Sequence, residues 1–300
     1  MNESYELIDA EKATRTDNKP KYTIRQMCRW LGVSTSGFYE WRDRPESATA
    51  QRRARLGELV RKSFEDSGQT YGHRRVHAEL ARWGHTCSLE LVRDLMRELH
   101  LQPCQPRPRR NLTQADAAAG PIPDLVNRDF TAQAPGQKMV GDITYIPTWE
   151  GWLYLATVID CHTKAVIGYA TADHYKTPLI EEALRMAARN HPLQPGAIFH
   201  SDRGSNYTSA QFATTLDALD IRQSVGRTGV CWDNAMAESF FGTLKNERVH
   251  RMVYPTRAAA AADVAKWIEL HYNNKRLHSG LGYKTPREVY TEHLNRQQAA

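Results

Sequence analysis

The sequence contains no run of eighteen apolar residues, so no segment reads as a membrane span. It opens MNESYELIDAEKATRTDNKP, which is polar and acidic and lacks the apolar core of an export signal, so export is not expected. Cysteine is scarce. Cys28, Cys87, Cys104, Cys161 and Cys231 are the five, and no two form a CxxC pair. An odd, scattered set excludes a disulfide framework and fits a reducing compartment. The same lack weighs against zinc. His73, His77, His85 and Cys87 lie close together, but without a CxxC pair they read as residues of a basic helical stretch rather than a ligand set. Heptads of the leucine-zipper kind are also missing from the N-terminus.

What is present is enough for more than one domain: 300 residues, 41% hydrophobic and 25% charged. The net charge of +6 is unevenly spread. Residues 1–112 carry 21 Lys and Arg against 15 Asp and Glu, and residues 113–300 carry 19 of each. A basic front beside a neutral remainder predicts that the front grips a polyanion and the rest does something else.

The front reads as helices. In YTIRQMCRWLGVSTSGFYEWRDR (22–44), Ile24, Met27, Cys28 and Leu31 have helical spacing, Gly32 stops that helix, and Ser34 caps another. Helix, short turn and helix is the helix-turn-helix pattern, whose second helix enters the major groove. After an Arg-rich helix over 50–66, the stretch 71–101 repeats the pattern, with Gly84 as the stop and Ser88 as the next cap. Arg74, Arg75, Arg82, Arg93 and Arg97 fall on its outer faces, and two such units in tandem point to DNA. QPCQPRPRRNL (102–112) then reads as an extended basic linker. The expected organisation is an N-terminal helix-turn-helix segment (1–48), a second helical DNA-binding domain (49–102), a linker (103–134), a core domain of different character (135–254) and a C-terminal helical extension (255–300).

From 138 the pattern becomes β. KMVGDITYIPT, WLYLATVID (152–160) and KAVIGYATA (164–172) read as a meander, followed by a helix with Thr177 as cap and Pro178 in its first turn. AIFHSD (197–202) is a fourth strand. A helix near 209–219, a strand near 222–226 and a helix over 234–249 complete a βββ-α-β-α-β-α order, hence a mixed five-stranded α/β sheet with helices packed on it.

Three acids stand out. Asp142 interrupts an apolar strand, where a carboxylate is costly unless paired or bound to a cation. Asp202 ends the fourth strand and meets Asp142 if that strand lies beside the first. Glu238 sits among Ala235, Ala237, Phe240 and Phe241, on a helix face that approaches the sheet. Carboxylates converging without matching cations predict an oxygen-ligated divalent metal, Mg²⁺ or Mn²⁺.

VGDITYI, HSDRGSNYTS and WDNAMAESFFGTLKNE resemble the three acidic motifs of DDE transposases and retroviral-type integrases, with 35 residues between Asp202 and Glu238 and Lys245 at a basic position common in that group. HYNNKRLHSGLGYKTP (271–286) and YGHRRVHAEL resemble the tail and the second helix-turn-helix of the second-frame (OrfB) transposases of the IS-three family. The resemblance covers about residues 22–290. It implies an RNase H-like integrase core in which Asp142, Asp202 and Glu238 are catalytic and hold two Mg²⁺ (or Mn²⁺) ions for in-line phosphoryl transfer. It further implies DNA as partner (insertion-sequence ends and target), a homo-oligomer in the synaptic complex, an upstream-frame helix-turn-helix and zipper protein, and a cytoplasmic, nucleoid-associated setting in bacteria. No zinc and no membrane partner are expected, since the His-His-Cys-Cys module of integrases is missing.

Neighbouring polar residues have simpler readings. Asp160 is expected to organise its turn, Asp233 and Asn234 to cap the last helix, and His200 to bond locally. Asn206 is a DNA-contact candidate that otherwise serves its turn. Lys245 is assigned to a phosphate because it lies about two turns beyond Glu238. Arg74, Arg75, Arg93, Arg276 and His278 complete the DNA-contact candidates. Two other functions share many of these features: a catalytically silent DNA-binding regulator or partner subunit of a longer fused transposase, and an RNase H acting on RNA–DNA hybrids.

Overall fold

A computed structural model describes residues 2–11, 15–16, 19–20, 22–104, 122–226 and 234–299. Residues 105–121 of the expected linker, and Asp233, lie outside them. The chain divides into two compact units, Met1–Leu59 and Val60–Ala300.

In the first unit, α1 (Asn2–Glu11), α2 (Ile24–Trp30) and α3 (Thr35–Asp43) share a core of Tyr5, Ile8, Met27, Cys28 and Phe38. Thr23 and Gln26 form a capping box at the start of α2, and Ser34 Oγ accepts from Gly37 N at 3.2 Å at the start of α3. Gly32, with φ +67°, makes the turn between them. The expected helix-turn-helix is therefore formed. Helix α4 (Ala48–Asp66) runs across the division between the units.

The second unit begins with the helical hairpin α5 (His73–Arg82) and α6 (Leu89–Glu98), whose buried residues Val76, Leu80, Val92, Leu95 and Met96 follow the expected periodicity. Gly84 takes φ +83° and Ser88 caps α6. This hairpin, expected to be a domain of its own, is grouped with the sheet. The reason is a set of tertiary bonds to the C-terminal segment: Tyr71 Oη accepts from Leu277 N at 2.8 Å, Arg75 Nε donates to Leu277 O at 2.9 Å, and Arg82 pairs with Glu288. His77 Nε2 lies 3.0 Å from the backbone oxygen of Cys87, a contact between α5 and the loop that leads into α6.

The sheet consists of β1 (Lys138–Thr148), β2 (Gly151–Asp160), β3 (Val166–Ala172), β4 (Ala197–Ser201) and β5 (Ile221–Val225), in the order β3-β2-β1-β4-β5. β1, β2 and β3 form the antiparallel meander, while β4 runs parallel to β1 and β5 parallel to β4. One face is covered by α7 (Thr177–Asn190) and α8 (Ala210–Ala218), through Leu179, Ala183, Leu184, Phe212 and Leu216. The other is covered by α9 (Ala235–Glu247) and α10 (Arg257–Lys266), through Phe240, Phe241, Leu244 and Val264. Gly168 permits the tight packing of α7 on β3, because a Cβ there would stand 2.2 Å from Ala183 O. The α10 helix continues as a π-helical turn, Trp267–Tyr272, and the chain ends in α11 (Pro286–Ala299).

Two local expectations are corrected. Thr177 is the first residue of α7 rather than its cap; Lys176 holds the cap position, without a side-chain capping bond. Asp202 falls one residue past the end of β4. Among the described residues, no helix is long and apolar enough to cross a membrane.

Candidate active site

The site lies where β4 stops pairing with β1. Their ladder runs Lys138↔Ile198, Met139↔Phe199 and Val140↔His200. Asp142 and Asp202 each stand two residues beyond the last pair, on neighbouring parallel strands about 4.8 Å apart. Phe199 packs so closely against Gly141 that a Cβ there would meet its ring at 2.2 Å, which holds the two strands in this relation. Beyond β4, the edge of β1 is met by the start of α9: Asn234 Nδ2 donates to Gly141 O at 3.1 Å. Asn234 was expected to cap α9, but its side chain makes no capping bond and ties the helix to the residue before Asp142 instead. This places Glu238, in the first turn of α9, beside the two aspartates.

The electrostatics record the convergence. Burial, then the charges of Asp202 and Glu238, push the Asp142 carboxyl up to about 8, opposed by a bond from Ile143 N at 2.7 Å and by the positive charge of Lys245. Burial and the charge of Asp202 raise Glu238 as well. Asp202 Oδ1 accepts from Gly204 N at 3.0 Å, an Asx turn that sets its side chain. Beneath the pair, the buried Tyr207 hydroxyl is raised by desolvation and by both aspartates. Among the described residues, no three His, Cys, Asp or Glu side chains are gathered tightly enough to hold a metal ion as they stand. The acids are electrostatic neighbours rather than a closed cage. Their chemistry nonetheless fits a hard divalent cation: all donors are carboxylate oxygens, and the negative charge exceeds what Lys245 offsets.

Other residues fall in different places. Lys245 lies on α9 with its Nζ 4.7 Å from the centre of the Tyr145 ring. Asp160 is buried and accepts from Gly136 N, Thr163 N and Thr163 Oγ1 at 2.6–2.9 Å, which is turn chemistry as expected. His200 is buried with Nδ1 2.8 Å from Ser224 Oγ. Asn206 is partly buried, and its carbonyl accepts from Ser209 Oγ. Arg74 and Arg93 are exposed on α5 and α6. Arg75 is partly buried, and its guanidinium is committed to Leu277 O.

Arg276 and His278 are corrected as DNA contacts because both are turned inward. Arg276 is 5% exposed and forms a two-pronged pair with Glu247 at 2.7 and 2.8 Å. His278 packs edge-on to Tyr272, and its Nε2 is buried without a partner. Sequence reasoning passed over Asn234's tether and the exposed aromatic residues Tyr145, Trp149 and Trp152 of the β1–β2 hairpin, of which Tyr145 lies beside Lys245. The clustering of aromatics in TYIPTWEGW was the signal available for the latter.

A mixed sheet with two aspartates on adjacent strands and a glutamate on the helix beside them defines the integrase-core class of polynucleotidyl transferases. The integrase core domain family matches residues 132–231 and again 219–286, and an HTH-like domain matches 51–110. The chain is 37% identical over 267 residues to an uncharacterized 31 kDa protein of insertion element IS600 from Shigella sonnei, covering 88% of this chain and 98% of that one. It is 35% identical over 282 residues to the transposase InsF of insertion sequence IS3A from Escherichia coli, covering 92% and 97%. With the IS904 transposase of Lactococcus lactis it shares 36% over 246 residues, covering 82% and 96%. Among solved structures, the BIV integrase catalytic core (TM-score 0.40, 16% identity) covers 54% of this chain and 99% of its own. The HTLV-2 core in complex with magnesium (0.41, 16%) covers 53% and 98%. The chain belongs to the IS3 family of insertion-sequence transposases.

Proposed function

We propose that this chain cuts and joins the ends of its own insertion sequence, with Asp142, Asp202 and Glu238 as the catalytic carboxylates. The observation that supports the reading is the electrostatic coupling of these three acids, on β1, just past β4 and on α9, near the point where β4 leaves β1. They would hold divalent cations, Mg²⁺ or Mn²⁺ and two in number. When bound, these supply Lewis-acid activation of the attacking oxygen and charge stabilisation of the leaving oxygen. The chain's own part is placement. The Asn234–Gly141 bond fixes Glu238 against β1, and the Asx turn fixes Asp202. Lys245 stands within electrostatic reach of Asp142 and suits a phosphate beside the acids. Water attack on the phosphodiester frees a 3′-hydroxyl at the element end, and that hydroxyl then attacks a target phosphodiester in the same site.

Arg74 and Arg93 on the hairpin, Asn206 and Lys245 are the DNA contacts this reading retains. It places the protein in the bacterial cytoplasm, working as a homo-oligomer on paired element ends, with an upstream-frame helix-turn-helix protein as a further partner.

Purified chain incubated with labelled element ends and Mg²⁺ is expected to give nicked and joined products. Asp142→Asn, Asp202→Asn and Glu238→Gln are each expected to reduce joining to background while DNA binding survives. Near wild-type joining by any one of them sinks the triad assignment. Binding without nicks or joints, with activity only in a longer fused form, favours the regulator or partner-subunit reading. Cleavage confined to RNA–DNA hybrids favours an RNase H.

A further inference from the structure

The β1–β2 hairpin carries an aromatic surface that its own core does not use. Tyr145 is 52% exposed, Trp152 49% and Trp149 76%. Tyr145 and Trp152 are diagonal cross-strand neighbours, because Trp152 pairs with Pro147, two residues on from Tyr145. Their rings meet edge to face, with centroids 4.8 Å apart. Isolated exposed aromatics are ordinary, but a contiguous set is a binding feature.

The hairpin end is held firmly while its rings stay in solvent. Trp149 N donates to Tyr254 O at 3.1 Å, and Thr148 Oγ1 donates to Gly151 O at 2.7 Å. Arg257 Nε donates to Trp152 O at 3.0 Å, and Arg257 N donates to Glu150 Oε2 at 2.8 Å. Gly151, at φ +105°, closes the turn. A surface fixed in this way loses little conformational entropy when it binds.

Its position suggests the ligand. Tyr145 follows Asp142 by three residues on the same strand, about 10 Å along it, so the alternation of the strand sets the two side chains on opposite faces of β1. Lys245 links the two places: its charge acts on Asp142, and its ammonium lies over the Tyr145 ring. A cation that is felt by the acid on one face of β1 and lies over an exposed ring of the other suits a phosphate with an unstacked base attached. We propose that Tyr145 and Trp152, with Trp149 at the rim, form a stacking subsite for an unpaired DNA base adjoining the reacting phosphate. This rests on the reading of the three acids as the site of phosphoryl transfer. The subsite would favour the frayed end of a duplex by offering a displaced base a ring to stack on.

The test compares element-end duplexes that are fully paired with others mismatched over the terminal base pairs, each with 2-aminopurine at a terminal position. Trp152→Leu keeps apolar bulk without an aromatic ring, Trp152→Phe restores a ring, and Trp149→Ala alters only the rim. Trp152→Leu is expected to lower joining of paired ends by about tenfold or more, and of mismatched ends by less than about threefold. Wild type and Trp152→Phe should quench 2-aminopurine, while Trp152→Leu should not. Equal losses on both substrates, unchanged quenching, or a change of oligomeric state on sedimentation (which would make the patch an interface between copies) each overturn the proposal. If wild type joins neither substrate, the phosphoryl-transfer reading fails first. If wild type joins both and Trp152→Leu does as well, only the stacking subsite fails.

Discussion

Helix α9 carries two carboxylates with opposite fates, nine residues and about 13 Å apart along its axis. Glu238, in the first turn, keeps much of its surface in solvent, and partial desolvation of its carboxyl and the charge of Asp202 raise it. Glu247, at the last residue, is buried and answered by both prongs of Arg276. One end of the helix gathers like charge without a matching cation, and the other neutralises its charge completely. Crowded carboxylates with raised pKa values are a mark of functional sites, so the contrast supports the proposed reading of one end of the helix as working and the other as anchoring.

The anchoring end also ties distant segments together. Arg276 lies one residue before Leu277, whose backbone bonds to Tyr71 and Arg75 at the start of the α5–α6 hairpin. The α5–α6 hairpin, the tail segment and helix α9 are thus joined through one buried polar cluster.

The largest effect should come from breaking the pair. Arg276→Met leaves Glu247 buried without a partner, and stability should fall by about 3–5 kcal/mol, read as a lower denaturation midpoint. Adding Glu247→Leu to Arg276→Met removes the orphaned charge and should recover most of that loss. If the single variant costs less than about 1 kcal/mol, the pair is not the anchor proposed. If Arg276 met DNA instead, the variant would weaken binding and leave the midpoint unchanged.

A middle-sized effect follows from His278. Burial, with Arg276 and Arg75 nearby, lowers its pKa from 6.5 to about 3. The folded pKa lies below the unfolded one, so the stability is fully present above about 6.5 and is lost as pH falls from there toward 3. Between about pH 7 and pH 4 this group should remove about 3 kcal/mol. His278→Phe should flatten that part of the stability profile, at a constant cost of about 1 kcal/mol for the lost bond to the Tyr272 backbone. Parallel profiles for the variant and wild type would sink this account.

How much of this was legible in the sequence depends on the range of the interaction. β1, β2 and β3 could be read from apolar patterning, and Ser34, Ser88 and Gly84 from local cap and stop chemistry. Asp142 drew attention because an acid inside an apolar strand demands a reason. Arg276 misled because the polar tail around it reads as surface, and its partner Glu247 lies 29 residues earlier, on another element. Asn234 was half legible: it holds the cap position of α9 as expected, but its side chain makes no capping bond and its amide instead donates to the carbonyl of Gly141, which only the fold brings close. The aromatics of the β1–β2 hairpin went unremarked because alternation shows which residues share a face, not which face stays uncovered.

The smallest expected effect is also the one that tests the working end by stability alone. In the metal-free protein, Asp142 experiences burial and two like charges, opposed by one backbone bond and by Lys245. Asp142→Asn keeps the shape and removes one of the three repelling charges. With chelator present at about pH 8, the variant should be more stable than wild type by about 1–2 kcal/mol, a gain kept small because water and counterions already screen a site this near the surface. Added Mg²⁺ should then stabilise wild type more than Asp142→Asn, since a ligand that binds only the folded form stabilises it by an amount that rises with the logarithm of its affinity. A variant that is less stable than wild type in chelator, and is stabilised equally by Mg²⁺, would mean that Asp142 is held by its neighbours rather than crowded by them.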